Sequence, residues 1–292
     1  MANEIVKFNN ELNTIPLKNF NKQELNIFFS IISQMRDKGS DTVTFTIPYL
    51  LDLAKPSRSG SYFNKELKKT YDKILNLTVW REDSQSYEKW ILFDYYKIDN
   101  VKNTISVSLN PRLKGVLNDL EQWTRFSLMQ FVGLKSTYSK NLFRILKQYR
   151  TVGKKRIKID TFRTLLDIPK SYNNSSISQR VINPIRLELS GYFRGFTIKS
   201  IKDTKHKNKL IGYEMTWHPE SKNADDFSLG FERDTQRRLD NLILNIDIPR
   251  DKKIKYIDKI LKENDIYKND EEAFVNAHIK ALKMLNEHSK LR

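Results

Sequence analysis

A chain of 292 residues, 39% hydrophobic and rich in aromatics (16 Phe, 13 Tyr, 4 Trp), can bury two ordinary domains and is not a disordered polyelectrolyte. The absence of cysteine excludes disulfides, cysteine-based zinc sites and thiol nucleophiles together. The net charge of +17 is concentrated: residues 1–134 carry 18 Lys/Arg against 15 Asp/Glu, residues 135–217 carry 19 against 5, and residues 218–292 carry 15 against 15.

So concentrated an excess suits a polyanion. The cations interleave with a folding pattern rather than lining an amphipathic surface helix, so nucleic acid is expected and a membrane partner is not. The opening MANEIVKFNN has no apolar signal core, and no run of 18 apolar residues follows, so a soluble cytoplasmic protein is expected.

Residues 1–20 are polar and Asn-rich and read as an arm. Asn21 or a neighbour caps a helix with Leu25, Phe28, Phe29, Ile32 and Met35 at helical spacing, and Gly39 follows its end. Thr42–Thr46 alternates as a short strand. Thr46 caps a helix over Ile47–Ala54, with Pro48 in its first turn. A longer helix, about Tyr62–Leu77, buries Phe63, Leu67, Tyr71, Ile74 and Leu75. Strands are expected at Leu77–Arg81, Trp90–Ile98 and Thr104–Leu109, and Asn110-Pro111 opens a short helix to Leu117. The region of Trp123 is a candidate junction. Ser127–Arg150 is helical with a break near Gly133, and Arg156–Ile159 is a strand.

Asp160–Ser190 then reads as helix, turn, helix. Asp160 is the expected N-cap of Thr161–Asp167, and Pro169 stops that helix. Ser176 starts the second, with Gln179 at capping-box spacing. Ile177, Val181, Ile185 and Leu189 form its buried side, which leaves Ser176, Gln179, Arg180 and Asn183 on the other. Gln and Asn can pair with adenine and Arg with guanine, whereas a merely solvated face needs no such set. Pro184 either kinks this helix or ends it, leaving Ile185–Ser190 as a separate turn. Strands at Phe196–Ile201 and Leu210–Trp217 flank a basic tip. Beyond residue 218 the strands vanish and three short amphipathic helices are expected.

The two halves repeat. Leu50–Lys55 (LLDLAK) matches Leu165–Lys170 (LLDIPK), and both halves run helix, strand, helix, loop, helix, hairpin. That order is a winged helix. The expected fold is α+β: a winged-helix domain over 1–125, a second over 126–218 and a helical extension over 219–292.

No constellation supports an enzyme. The histidines (His206, His218, His278 and His288) form no metal-binding spacing, and Gly133-Leu-Lys-Ser136 lacks the first glycine of a phosphate loop. No cofactor or metal is expected.

Asn10–Asn13 with Phe20–Leu25, Ser139–Arg150 (SKNLFRILKQYR), Phe162–Pro169 and Gln179–Ile185 resemble the Rep_3 (RepB-like) superfamily of plasmid replication initiators, above all those of theta-replicating lactococcal plasmids. The similarity runs through about residues 8–217, and the loop Pro56–Ser61 diverges most. The resemblance implies two tandem winged helices. The second would bind direct origin repeats (iterons), and the first would serve as a dimer interface or a second DNA contact. It also implies dimers that repress their own promoter, monomers that initiate, and contacts with a host replication initiator and helicase.

On this reading the protein is a non-enzymatic initiator that binds double-stranded DNA. The second recognition helix reads bases through Ser176, Gln179, Arg180, Asn183 and Arg186. Lys202, Lys205, Lys207 and Lys209 of the hairpin, with Lys154, Lys155 and Arg156, meet phosphates. Arg58, Asn64, Lys65, Lys68 and Lys69 are the candidates in the first domain. The rival reading is a winged-helix transcription regulator with no replication role.

Overall fold

Asn21 and Glu24 start the helix α1 (Lys22–Met35) with a complete capping box: the Asn21 side chain accepts from the Glu24 N–H at 2.9 Å, and the Glu24 carboxylate accepts from the Asn21 N–H at 2.8 Å. Nearly every side of α1 is covered. Leu25, Phe28, Phe29, Ile32 and Met35 are all buried, and Phe29 lies edge-on to Phe131 at 4.5 Å and to Phe28 at 4.9 Å between ring centres. The chain around it is a computed structural model that describes residues 4–36, 38–39, 41–56, 61–82, 84–117, 122–204 and 209–221. It divides into a first unit, Met1–Val132 with Thr164–Asp167, and a second that begins at Gly133.

The expected N-terminal arm is a strand instead. Val6 and Phe8 of β1 (Ile5–Asn9) are fully buried, with Phe8 against Phe29 and Phe126. The asparagines on either side hide a two-residue alternation too short to register as a strand alone.

In the first unit, β2 (Val43–Thr46) leads directly into α2 (Ile47–Ala54), which the Thr46 hydroxyl caps and Lys55 ends in a left-handed conformation (φ 43°). Next come α3 (Ser61–Leu75), β3 (Thr78–Glu82), β4 (Tyr87–Ile91), β5 (Phe93–Asp99) and β6 (Thr104–Leu109). The single strand expected over Trp90–Ile98 is therefore two. Residues up to Ile91 pair with β3, those from Phe93 pair with β6, and the Leu92 N–H turns aside to the Leu77 carbonyl at 2.8 Å. Asn110 caps a 3-10 turn, Pro111–Val116, where a helix was expected. Then β7 (Trp123–Ser127) pairs antiparallel with β1 along its whole length, and α4 (Leu128–Val132) closes the unit, past the boundary expected at residue 125.

The second unit repeats the plan. Ser136 caps α5 (Thr137–Gln148), so the helix does break near Gly133. The strand β8 (Lys154–Lys158) leads directly into α6 (Ile159–Leu165). The recognition segment Asn174–Leu189 and the strands β9 (Thr197–Asp203) and β10 (Lys209–Thr216) follow. The sheet orders are β2-β6-β5 and β8-β10-β9, the same topology twice. The expected repeat is thus real at the level of architecture. Its six-residue match is not the structural register. Asp52 lies within α2, whereas Asp167 is the left-handed residue (φ 55°) after α6, where the first unit has Lys55.

Asp160 is not the N-cap it was expected to be. The helix starts at Ile159, two residues before the expected Thr161 and straight out of β8, and Asp160 sits in its first turn, where a carboxylate favours the helix dipole. The other end closes as a Schellman motif: the Ile168 N–H reaches the Arg163 carbonyl at 2.9 Å and the Asp167 N–H reaches that of Thr164 at 3.3 Å, ahead of Pro169.

Not all of the basic excess faces outward. Lys140, Arg144, Lys147 and Arg150, from α5 and the turn after it, are buried. Glu220 answers two of them, accepting from Lys147 at 2.9 Å and Arg150 at 3.3 Å, while its N–H donates to the Arg150 carbonyl. Gly153 (φ 73°) must be glycine here, because a Cβ would stand 2.7 Å from both Pro219 and the Trp217 carbonyl. The second unit therefore extends through Glu220. The helices expected beyond residue 221 lie outside the described residues.

Burial pushes the Glu220 carboxyl up, but Lys147 and Arg150 outweigh it and hold it below the ordinary carboxylate value. Its stabilisation is thus full above about pH 4.3 and fades as the pH falls through the lowered folded-state value. Glu220→Gln should cost about 2–3 kcal/mol near neutral pH, less than a fully enclosed pair because Glu220 keeps some exposure. Thermal melts of both proteins from pH 7 to pH 3 should show the gap closing at the acid end; a gap independent of pH would contradict the assignment.

Candidate nucleic-acid interface

The recognition segment is one unbroken run of right-handed helical backbone. It comprises α7 (Asn174–Ile177), a π turn at Ser178–Ile182, and α8 (Asn183–Leu189). The two readings of Pro184 resolve accordingly: Ile185–Leu189 continues the helix and is not a separate turn. In a regular α-helix the residue at 184 would donate to the Arg180 carbonyl, which proline cannot do. The backbone widens instead, and the Asn183 N–H reaches back five residues to Ser178.

The wide turn also sets the faces. Residues at four-residue spacing drift by ~40° per step around a regular helix of 3.6 residues per turn. Ile177, Val181, Ile185 and Leu189 are nevertheless all fully buried. A π turn absorbs about one residue of that drift and keeps the four in line. Gln179, Arg180, Asn183 and Arg186 are all exposed, and Ser176 is half-buried.

The helix does not begin at Ser176. Asn173 is the N-cap, its side chain accepting from the Ser176 N–H at 2.8 Å. Asn outranks most residues at this position, and it stands three residues before the N–H it serves, so the signal was in the sequence. The earlier start adds exposed Asn174 and Ser175 to the polar face, and Ser178 joins them.

Two contacts fix the segment from behind and beside. The Glu188 carboxylate accepts from the Lys135 N–H at 2.9 Å and the Ser136 N–H at 3.1 Å, at the N-cap of α5 and the residue before it. Burial raises the Glu188 carboxyl, and those two donors pull against the rise. In the preceding turn the Arg163 guanidinium donates to the Tyr172 carbonyl at 2.6 Å and the Pro169 carbonyl at 3.3 Å. Arg180 does not project freely. It lies 5.4 Å from the Tyr172 ring centre and is hydrogen-bonded to its phenol, which lowers the phenol's titration point.

The sheet separates the cations of β8. Lys154 and Arg156 share its exposed face and both pair with Glu214 of β10, Lys154 at 3.0 Å. Lys155 points the other way, its ammonium 3.8 Å from the Tyr149 ring centre. The three were grouped as phosphate contacts, but strand alternation puts them on two faces. On the wing, Lys202 and Lys209 are exposed, and the fold adds exposed Lys199 to them. Gly212 lets β10 pass close to β8, since a Cβ there would meet the Ile157 carbonyl at 2.5 Å. Lys205 and Lys207 lie outside the described residues, and so does Arg58. On α3 of the first unit, Lys65, Lys68 and Lys69 are exposed and Asn64 is half-buried.

Among the described residues, no group of three or more His, Asp or Glu could hold a metal ion, and no helix is long and apolar enough to cross a membrane.

Two helix-turn-helix units, each closed by the same three-stranded sheet, define a tandem winged-helix protein. The family models agree: that of the initiator replication protein's WH1 domain matches residues 5–147, and that of the initiator Rep protein's WH2 domain matches residues 158–217. The chain belongs to this family of replication initiators. A curated relative from Bifidobacterium longum (strain NCC 2705), described as "Probable replication protein rep", is 34% identical over 226 residues, 76% of this chain and 75% of the relative. The crystal structure of the Pi initiator protein in complex with iteron DNA has the same fold: a TM-score of 0.57 at 13% identity, over 75% of this chain and 99% of that one.

Asn173→Ala should lower stability by about 1 kcal/mol, the usual worth of an N-cap, whereas Ser176→Ala should leave stability within about 0.5 kcal/mol of the parent. Urea unfolding of both variants checks this. The reverse ranking would return the cap to Ser176.

Proposed function

We propose that the protein initiates plasmid replication without enzymatic activity of its own, by binding directly repeated origin sites and passing the opened origin to a host initiator and helicase. The carrying observation is the recognition segment, whose apolar side is buried while Gln179, Arg180, Asn183 and Arg186 are left outward beside a basic wing. These residues lie in the major groove and read base edges; Lys202 and Lys209 track phosphates. Family membership and the likeness to an initiator solved on iteron DNA support this reading. Within the family the chain is nearest the lactococcal theta-plasmid initiators, a placement that rests on Ser139–Arg150 and Gln179–Ile185. It works in the cytoplasm, where it also represses its own promoter.

Asn183→Ala should weaken binding to the cognate repeat by about 1–3 kcal/mol and change binding to a scrambled duplex little. Lys202→Ala should weaken both duplexes alike and flatten the dependence of log K on log salt by about one unit. Salt titrations on both duplexes provide the measurement. Equal losses on both duplexes for Asn183→Ala would remove it from the base-reading set.

The first unit carries self-association. Trp80, Tyr87 and Ile91 are exposed, and the register of β3 with β4 places them on one face of a two-stranded hairpin that pairs with no third strand among the described residues. In analytical ultracentrifugation, Trp80→Lys with Tyr87→Lys should shift the full chain toward monomer while leaving it folded. An unchanged dimer fraction would put the interface elsewhere.

A further inference from the structure

The outer face of the second unit's sheet sets a carboxylate of its central strand among cations. Glu214 sits on the central strand β10, with Arg156 as its partner across one ladder and Lys199 across the other. One oxygen of Glu214, Oε2, accepts from both Lys154 and Arg156. Lys154, Arg156, Lys158 and Lys199 are all exposed, and Glu214 itself is only partly so. An anionic oxygen shared by a lysine and an arginine is the arrangement that a DNA phosphate makes with the same two side chains.

We propose that Glu214 is an internal stand-in for a DNA phosphate: it occupies Lys154 and Arg156 in the free protein, gives them up when a duplex docks, and so sets affinity and salt dependence without affecting sequence preference. This rests on the reading of the second unit as the DNA-binding one.

The three groups together offer DNA a net single positive charge; without the carboxylate they offer two. Each cation newly available to a phosphate releases about 0.9 of a counterion. Removing Glu214 therefore adds about one unit to the salt slope. Held in place by Glu214, the two cations bind any polyanion less tightly, cognate and non-specific DNA alike.

The test is a salt titration of the full-length protein, parent and Glu214→Gln, on cognate and scrambled duplexes. Expected are a slope steeper by about one unit and an affinity at low salt higher by about two- to fivefold, equally on both duplexes. A second pair, with Lys154→Gln and Arg156→Gln already in place, separates this from a general charge effect: there Glu214→Gln should change slope and affinity by well under half of what it does in the parent. If Glu214→Gln acts as strongly in that background, or does nothing in the parent, the proposal is overturned. Asn183→Ala in the same series keeps the two readings apart: cognate-specific loss there with an inert Glu214→Gln refutes only the stand-in, whereas a parent that binds no duplex refutes the DNA-binding reading itself.

Discussion

A proline inside a helix removes one donor and crowds the turn before it, and the recognition segment is built around that defect at Pro184. The π turn that accommodates it does three things at once. It keeps the helix continuous, brings Ile177, Val181, Ile185 and Leu189 onto one buried line, and decides which polar residues are left outside. Glu188 then ties the end of the same helix to the opening turn of α5, so the angle at which the polar side is presented is set by a carboxylate on two backbone donors. A helix that reads bases needs such rigidity, because a bidentate contact tolerates little displacement of the side chain that makes it.

Much of this was legible in the sequence because the signals were local. The caps at Asn21 and Thr46, the break at Gly133 and the strand Thr104–Leu109 each depend on a few neighbouring residues. The buried stripe of the recognition helix was legible for the same reason. The π turn was not, since a four-residue repeat is also compatible with an ordinary helix carrying a broad apolar side. The split between β4 and β5 was invisible for the opposite reason. It depends on Leu77 and Asn110, which meet Leu92 only in the folded chain.

The charge count located the right part of the chain while overstating the surface. Among the described residues, four of the cations it counts are buried, and two more are held by Glu214. Composition cannot distinguish these, because side-chain direction depends on strand alternation and helix phase. The repeat shows a similar gap. Element order carried over from one half to the other and sheet order bears it out, yet the best-matching letters, LLDLAK and LLDIPK, do not occupy equivalent places. Backbone plan is the more durable inheritance, since a left-handed residue after the helix serves whether it is Lys55 or Asp167.

In each unit an early element is completed by a segment far along the chain. The first strand of the first unit waits for Trp123–Ser127, and the buried cations of α5 wait for Glu220. On a growing chain, emerging at about 5–20 residues per second, β1 can pair with β7 once Ser127 is free, and the first unit is complete once Thr164–Asp167 has followed. The second stays open for the roughly seventy residues between Lys147 and Glu220, with a lysine and an arginine not yet neutralised. A ribosome that stalls within the wing would therefore release a finished first unit joined to an unfinished second.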